Sequence, residues 1–405
     1  MGYVGNATLL TKKVIFEIMS PITRTIWVLS LVSLFTDMAS DMLYPVMPAY
    51  LRSIGFSVAF IGLLEGIAEA AAGLSKGYFG HWSDVSGKRL PFVRMGYALS
   101  ALSKPLMAAL SYPLWVFMVR TMDRLGKGMR TGARDAMLAD ESSDGNRGKV
   151  FGFHRSMDTV GAAIGPALAL VWLYFRPGDY IPLFFIAFIP GLISVLMLFT
   201  MKDRNGIPQT GKSITFAASL RWLKTAPMAY KGLLTGLLLF ACINSSEIFL
   251  LLRAREQGMT DAGVVGLYIF YNLIFAIFAY PLGLWSDKVG MKRIFLFGLG
   301  VFALVYAGMA LPWPSWMLIV LFLMYGVFSA ATDGLAKAWI SKVCGPHEKA
   351  VALGTFAGLQ SLALLVASVW AGFCWDWVGP EPVFAATALL SLLVGGYFAV
   401  FVKEK

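Results

Sequence analysis

The sequence predicts an all-α polytopic membrane protein, with twelve transmembrane helices in two pseudo-symmetric six-helix bundles. Three observations lead to this prediction: the composition, the succession of apolar runs and an internal repeat. Of the 405 residues, 58% are hydrophobic and only 14% are charged, and the mean hydropathy is +0.69. Because a soluble domain carries roughly a quarter of its residues as charged side chains, a soluble globular enzyme is excluded, and a disordered chain is excluded by the same numbers.

Twelve apolar runs, each roughly 19 to 27 residues long, can cross a bilayer. The first six are predicted at 25–50, 58–80, 92–111, 113–138, 150–173 and 180–201. The second six are predicted at 228–252, 263–285, 293–311, 315–340, 350–373 and 382–402. A polar stretch separates the two sets, and its 215–223 portion is predicted as an interfacial helix. We therefore expect an N-terminal bundle over 1–200, a cytoplasmic linker over 201–227 and a C-terminal bundle over 228–405.

The charge distribution predicts the orientation, because positive residues collect on the cytoplasmic side of membrane proteins. Lys and Arg number 34 against 23 Asp and Glu, a net charge of +11. With the N-terminus inside, the cytoplasmic segments hold Lys12, Lys13, Lys88, Arg89, Arg147, Lys149, Lys202, Arg204, Lys212, Arg221, Lys224, Lys288, Lys292, Arg293, Lys342, Lys349, Lys403 and Lys405. The opposite side holds Arg52, Arg176, Arg253 and Arg255. Both termini are therefore expected in the cytoplasm of a bacterial-type inner membrane.

Several other classes of function lack a signal in the sequence. Cys242, Cys344 and Cys374 lie far apart, without the spacing of a disulfide framework or a zinc site. A phosphate-binding loop for ATP is absent from the sequence, and the segments between the apolar runs are too short for an enzyme domain. We expect a monomer with no enzymatic activity, cofactor, bound metal or nucleic-acid partner.

An internal repeat supports the division into two bundles. The segments that begin at Gly80 and Gly283, 203 positions apart, both read Gly-x-Trp-Ser-Asp-x-x-Gly and then carry a basic pair. Glycine permits a tight reversal, an acid suits a helix N-terminus, and a basic pair anchors at anionic headgroups. The repeated residues are Gly80, Asp84, Gly87, Lys88 and Arg89, and then Gly283, Asp287, Gly290, Lys292 and Arg293. A repeat of half the chain predicts two similarly folded bundles.

These features resemble the major facilitator superfamily (MFS), and the resemblance covers essentially the whole chain. It implies two bundles around a central cavity that work by rocker-switch alternating access. It also implies that Asp84 and Asp287 are gate elements, which lock one conformation through contacts between the bundles and do not bind substrate. The resemblance extends to bacterial drug and metabolite efflux permeases, but it identifies no substrate.

The fifth span contains Gly161-Ala162-Ala163-Ile164-Gly165-Pro166. This segment is similar to the family's antiporter motif, which is found mainly in exporters, although Ala169 and Leu170 replace the motif's final glycines. Gly161, Gly165 and Pro166 therefore either indicate the direction of transport or form a packing seam of small residues.

Ionisable residues inside the spans are the candidate site, because a charge at membrane depth costs at least ~2.5–3.5 kcal/mol on insertion scales. Asp37 and Asp41 lie four residues apart on one face of the first span. Two carboxylates this close repel each other, which favours the binding of a proton by one of them. Glu65 and Glu69 repeat the arrangement in the second span. The alternative is that each acid pairs with a basic residue across the bundle.

Basic and polar residues on other spans complete the candidate set. Arg120 and Arg124 either pair with Asp37 or Asp41, bind an anionic substrate, or form a structural ion pair. His154, beside Arg155 and one turn before Asp158, is a candidate proton relay, or simply a hydrogen-bonded histidine. Asn244 and Glu247 are the seventh-span candidates, with Asn244 at the repeat position of Asp41. The candidates are Asp37, Asp41, Glu69, Arg120, Arg124, His154, Arg155, Asp158, Asn244 and Glu247.

The sequence as a whole predicts a secondary active transporter of a small molecule, driven by protons or another coupling cation and surrounded by membrane lipid. Proton-coupled efflux by antiport is the main prediction. Proton-coupled uptake of an anionic metabolite by symport is the first alternative. A non-transporting receptor or scaffold on the same fold and a lipid-moving activity remain further alternatives.

Overall fold

The computed structural model describes residues 22–142, 147–202, 216–344 and 348–402. The side chains of a few helical residues within these ranges, among them Asp84 and Asp287, lie outside the description. Regular structure in the described ranges is helical throughout. The first half contains α1 (Arg24–Leu43), α2 (Met47–Ser53), α3 (Val58–Ser86), α4 (Leu90–Ala109), α5 (Pro113–Asp140), α6 (Arg147–Phe175) and α7 (Ile181–Phe199).

A short helix, α8 (Phe216–Thr225), stands between the halves. The second half contains α9 (Met228–Ala241), α10 (Ile248–Glu256), α11 (Asp261–Val289), α12 (Met291–Met309), α13 (Ser315–Val343), α14 (Lys349–Val378) and α15 (Pro380–Phe401). Because α1 and α2 share the first span and α9 and α10 share the seventh, the protein has twelve membrane spans in two six-helix bundles. The predicted fold class is confirmed.

Nine helices in the described ranges are long and apolar enough to cross a membrane by themselves. The third, fourth and seventh spans fall short for visible reasons. α4 and α5 carry buried charged side chains, and α9 ends at Ala241. Neighbouring helices stabilise these three spans in the membrane, because they supply partners for the buried charges.

The first and seventh spans are interrupted, whereas the sequence predicted each as one continuous run. Pro45 has no N–H group, so the Asp41 carbonyl loses its helical partner and α1 ends at Leu43. The corresponding break after Ala241 contains the polar residues up to Glu247. There the Ser246 N–H donates to the Ser368 hydroxyl at 3.2 Å, which satisfies a backbone group that the helix has released.

Glycines with positive φ confirm the repeat at the level of the backbone. Gly55 and Gly258 have φ of 90° and 91°, and both follow the short second helix of an interrupted span. Gly87 and Gly290, the last glycines of the repeated motif, have φ of 64° and 101°. Since L side chains rarely adopt this backbone conformation, the two halves reuse the same residue type to make equivalent turns.

The two halves touch at one face of the molecule and separate at the other. We call the face where α9 begins and α7 ends the linker face, and the other the opposite face. A Cβ on Gly62 would collide with the Ser368 carbonyl, and one on Gly66 would lie 2.8 Å from the Leu365 side chain. Nearer the linker face, a Cβ on Gly77 would have no neighbour within 4 Å. α3 and α14 therefore pack closely from the opposite face to just past the middle of α3, where a Cβ on Gly73 would still collide with the Ser361 side chain, and the close packing ends before Gly77.

Hydrogen bonds join the halves at the opposite face. The Asp376 carboxylate of α14 accepts the Val58 N–H at 3.0 Å and the Ala59 N–H at 2.8 Å. Both donors belong to the first turn of α3, where N–H groups have no helical acceptor. Tyr180, before α7, donates to Asp261 at the start of α11. We call these two contacts the opposite-face latch, and they hold the described structure closed on that side.

The helix predicted over 215–223 is present as α8, Phe216–Thr225, and its position at the membrane interface stays a prediction. Its Trp222 indole N–H donates to the Glu348 carboxylate at 3.3 Å, and the Trp222 ring lies 5.0 Å from the Tyr230 ring. Trp222 therefore contacts the second half.

Candidate functional site

A tight ion pair crosses the first half between α3 and α5. The Arg120 Nε and Nη2 atoms bind the two Glu65 carboxylate oxygens at 2.9 and 3.2 Å. Both side chains are buried, with Glu65 only 1% exposed. Two parallel charge-assisted bonds therefore satisfy both buried groups. Of the alternatives for Arg120, the structure supports the structural ion pair.

A second buried pair lies one turn away. The Lys104 ammonium binds Asp123 at 2.8 Å, and the Ser100 and Ser103 hydroxyls donate to the same carboxylate oxygen at 2.6 and 3.2 Å. Arg120 approaches the other Asp123 oxygen at 3.8 Å. Asp123 is therefore fully engaged, and this pair keeps α4 and α5 together rather than offering a free charge.

Arg124 is held more loosely than Arg120. Its Nη1 atom lies 3.4 Å from Glu69, and its guanidinium carbon lies 5.8 Å from the centre of the Tyr44 ring. Its Nε atom is buried without a hydrogen-bond partner among the described residues. Arg124 thus keeps one donor available at the centre of the molecule.

The first-span carboxyls are the least engaged acids of the candidate site. Asp37 lies 3.9 Å from Arg130, which is too long for a hydrogen bond. Asp41 has no hydrogen-bond or ion-pair partner in the described ranges, and the charges acting on it come from Asp37, Lys127, Arg124 and Lys104. Lys127 is exposed and forms no described ion pair. The structure therefore leaves one acid and one base unpaired near the centre.

The fifth-span candidates form a separate group nearer the linker face. His154 Nδ1 lies 3.3 Å from the Ser30 hydroxyl, and His154 Nε2 lies 3.6 Å from Asp158. Neither His154 Nε2 nor Asp158 Oδ1 has a hydrogen-bond partner in the part of the chain that is described. Arg155 is exposed and has no described ion-pair partner, so the structure does not bring it into the buried group.

The antiporter-like segment packs against the first span. A Cβ on Gly161 would collide with the Leu34 carbonyl, and one on Gly165 would collide with the Met38 carbonyl. Gly161 and Gly165, just before Pro166, therefore let α6 approach the backbone of α1. This close approach supports the packing-seam interpretation, and the relation of the segment to the direction of transport stays a prediction.

The second half contributes residues from the break in the seventh span. Glu247 accepts a hydrogen bond from the Tyr271 hydroxyl, while the Asn244 amide oxygen is buried and has no described partner. The charges that act most strongly on Glu247 are those of Asp333, Glu69 and Asp41. Tyr44, which contacts Arg124, also contacts Tyr268 of the second half, so the candidate residues of both halves lie around one central space.

Tyrosines close this central space towards the opposite face. The rings of Tyr44 and Tyr268, one from each half, lie 5.6 Å apart, and Tyr268 also contacts Tyr271 at 5.4 Å. Two other large aromatic residues of the second half pack away from this space. Phe249 packs on Trp375, and Trp339 packs inside the second half.

The gate motif occupies equivalent turns at the linker face. Arg89 forms an ion pair with Asp140, and the Lys292 ammonium donates to the Ala399 carbonyl at 2.8 Å. Lys88 and Arg293 are exposed. The side chains of the two motif acids, Asp84 and Asp287, lie outside the described residues, so their gate role stays a prediction.

The latch at the opposite face is a functional feature that the sequence did not reveal. Arg255 donates to Asp261 at 2.8 Å and to the Tyr180 hydroxyl at 3.2 Å. Burial and the hydrogen bond to Asp261 raise the pKa of Tyr180 above its usual value, so its hydroxyl stays a donor at physiological pH. An acid such as Asp376 at the end of a span looks like an ordinary loop residue in the sequence.

Two six-helix bundles with buried charged side chains between their helices, which contact each other across the opposite face in the described residues, are the architecture of a membrane transporter. The sequence profile of the Major Facilitator Superfamily matches residues 29–271 and 258–405. The chain belongs to this family, and it is an MFS-type membrane transporter.

The similar proteins agree with this assignment. An uncharacterised MFS-type transporter of Methanocaldococcus jannaschii is 32% identical over 380 residues, which cover 92% of this chain and 94% of that protein. A mutant of the nucleoside transporter NupG has a TM-score of 0.80 at 14% identity, over 94% of this chain and 100% of that one. A bacterial homologue of the human lysosomal transporter Spinster, inward-facing and unoccupied, has a TM-score of 0.74 at 13% identity, over 94% and 97% of the two chains.

Proposed function

We propose that the protein exports a small molecule from the cytoplasm in exchange for protons. The observation that carries this proposal is Asp41, an acid at the centre of the molecule that has no hydrogen-bond partner among the described residues. A carboxyl group in such a place can bind either a proton or a cationic group of a substrate. Competition between the two for one site is sufficient to couple their movements in opposite directions.

The electrostatics around Asp41 link its protonation to the conformation. In the described state its neighbours are Asp37, Lys127, Arg124 and Lys104, all from the first half, with Glu247 of the second half also close enough to interact. Protonation of Asp41 removes a negative charge that repels Glu247 across the space between the halves. A ligand or proton that binds one conformation better than the other shifts the balance between them.

The orientation follows from the positive residues. The linker face is the cytoplasmic face in this proposal, because the Lys and Arg residues of the connecting segments concentrate there. The described state, closed by the opposite-face latch, is then the state open to the cytoplasm, which is where an exporter collects its substrate. A bacterial-type inner membrane with both termini in the cytoplasm fits this arrangement.

The test compares Asp41→Asn with the parent protein in proteoliposomes. A thermal-shift screen of small organic cations and anions at two pH values first identifies a ligand. An imposed pH gradient should then drive accumulation of that ligand by the parent protein and not by Asp41→Asn. Asp179→Asn, which changes an acid in the loop before α7, is the matched control and should transport normally. Equal accumulation by the parent and Asp41→Asn would overturn the proposal.

A second candidate is proton-coupled uptake of an anionic metabolite. It is favoured by the buried Arg124 Nε atom, which has no described partner, and by the exposed Lys127 beside the same acids. In this case ligand and protons move in the same direction, and Lys127→Gln should weaken binding of the anion. The direction of proton movement therefore distinguishes the two functions.

A further inference from the structure

A second cavity, distinct from the charged centre, lies within the second half. Its volume is about 310 Å³, which is in the range of small-molecule pockets. Phe275 and Leu282 of α11 form one wall, Ala331 and Leu335 of α13 form another, and Ile294 of α12 also lines it. We call this cavity the side pocket. Its lining is mainly apolar, with Ser286 as the polar side chain, so it suits a hydrocarbon group.

The side pocket exists because the two halves differ at one helix–helix contact. In the first half, α5 packs on α3 through Gly128 and Gly132, and a Cβ on Gly132 would lie 2.9 Å from the Lys76 carbonyl oxygen. The positions 203 residues later are Ala331 and Leu335. Their side chains prevent α13 from approaching α11 as closely, since close packing of membrane helices needs small residues.

The side pocket adjoins the charged centre along two helices. Gly334, one of its lining residues, directly follows Asp333 and is exposed, so the pocket is open at that edge. On α11, Phe275 lies one turn beyond Tyr271, whose hydroxyl donates to Glu247. The side pocket therefore begins one helical turn from Tyr271, the residue that donates a hydrogen bond to Glu247.

We propose that the side pocket holds the apolar part of a transported substrate, and that the cationic head of this substrate lies beside Glu247, in the same central space as Asp41. The substrate class is then an amphipathic organic cation, for example an amine or quaternary ammonium with an alkyl or aryl group. The charges acting most strongly on Glu247 are all carboxyls, and the adjacent Tyr271 ring adds a surface that attracts cations. This inference rests on the proposed function, because it names the substrate class of the same central site.

The test measures binding of n-alkyltrimethylammonium ions to the protein in lipid nanodiscs by calorimetry. The series runs from tetramethylammonium through the butyl to the hexyl compound, and empty nanodiscs correct for partition into lipid. Each methylene that enters the side pocket should lower Kd about fourfold. Glu247→Gln should weaken the binding of every member by a similar factor, since all members share the same head group.

Gly334→Phe tests the pocket itself. A Cβ on Gly334 would have no neighbour within 4 Å, so the phenyl ring can fill the pocket without disturbing the fold. We expect Gly334→Phe to abolish the dependence of Kd on chain length and to leave the Kd of tetramethylammonium within about twofold of the parent value. Gly300→Phe is the matched control, because Gly300 of α12 also has no neighbour within 4 Å and does not line the pocket.

Three results would overturn the inference: a Kd independent of chain length, equal weakening of all members by Gly334→Phe, or binding of n-alkylsulfonates in place of the cations. If Gly334→Phe weakened the binding of all members equally, the side pocket would instead be a groove into which the first half packs when the linker face closes. If proton exchange is wrong but the side pocket is right, the result differs. Kd then still depends on chain length, but transport of these cations into vesicles moves no protons.

Discussion

Removal of the Asp376 carboxylate should release the opposite face. Asp376→Ala deletes the acceptor for two N–H groups, those of Val58 and Ala59, at 3.0 and 2.8 Å. Asp376 is exposed and water replaces part of the loss, so we take about 1 kcal/mol for each bond, as for a helix N-cap. A loss of about 2 kcal/mol shifts the balance between the two conformations about 30-fold towards the state open at the opposite face.

Electron spin resonance distances across the opposite face measure this shift. Spin labels at Arg176 and Trp377, exposed residues of the first and second half, report the separation in a background without the three native cysteines. Asp376→Ala should add a population with a longer distance, and Asp376→Asn, which keeps one acceptor oxygen, should add less. Asp179→Ala removes an acid from a loop on the same face and serves as the control. Identical distance distributions for Asp376→Ala and Asp179→Ala would refute the reasoning.

Three further predictions concern packing and the latch. Arg120→Met leaves the buried Glu65 without its partner and should lower the free energy of unfolding by about 3–5 kcal/mol, seen as a lower Tm, whereas an unchanged Tm would argue against the ion pair. Tyr180→Phe removes the hydrogen bond to Asp261 and should lengthen the same spin-label distance. In the parent protein this distance should stay constant from pH 7 to about 10, the ordinary pKa of tyrosine, because the raised pKa of Tyr180 keeps its hydroxyl protonated. Gly165→Leu forces α6 away from α1 and should reduce the yield of folded protein in size-exclusion chromatography, and a normal yield would contradict the packing-seam interpretation.

The spans were predictable from the sequence because apolar length is set by the thickness of the bilayer. The interruptions of the first and seventh spans were not predicted, although both have a local signal. Pro45 cannot donate to the Asp41 carbonyl, and the polar run from Asn244 to Glu247 marks the other break. Hydropathy averages over about 20 residues and therefore hides breaks of three residues (44–46) and six residues (242–247).

The pairing of buried charges was the part that the sequence left open. Arg120 had Asp37, Asp41 and a structural partner as alternatives, and the structure pairs it with Glu65. Which acid meets which base depends on the adjacency and rotation of α3, α4 and α5, and helical spacing along one span carries no information about its neighbours. The serine hydroxyls that satisfy Asp123 escaped notice for the same reason.

The most direct measurement for the central claim is the direction of proton movement when a ligand gradient alone drives transport. Proteoliposomes are loaded with the ligand and a pH-sensitive dye, and are then diluted into ligand-free buffer. Antiport predicts that the lumen becomes more acidic as the ligand leaves, and that Asp41→Asn abolishes this change. A lumen that becomes more alkaline, or one whose pH does not change while the ligand leaves, would contradict the account.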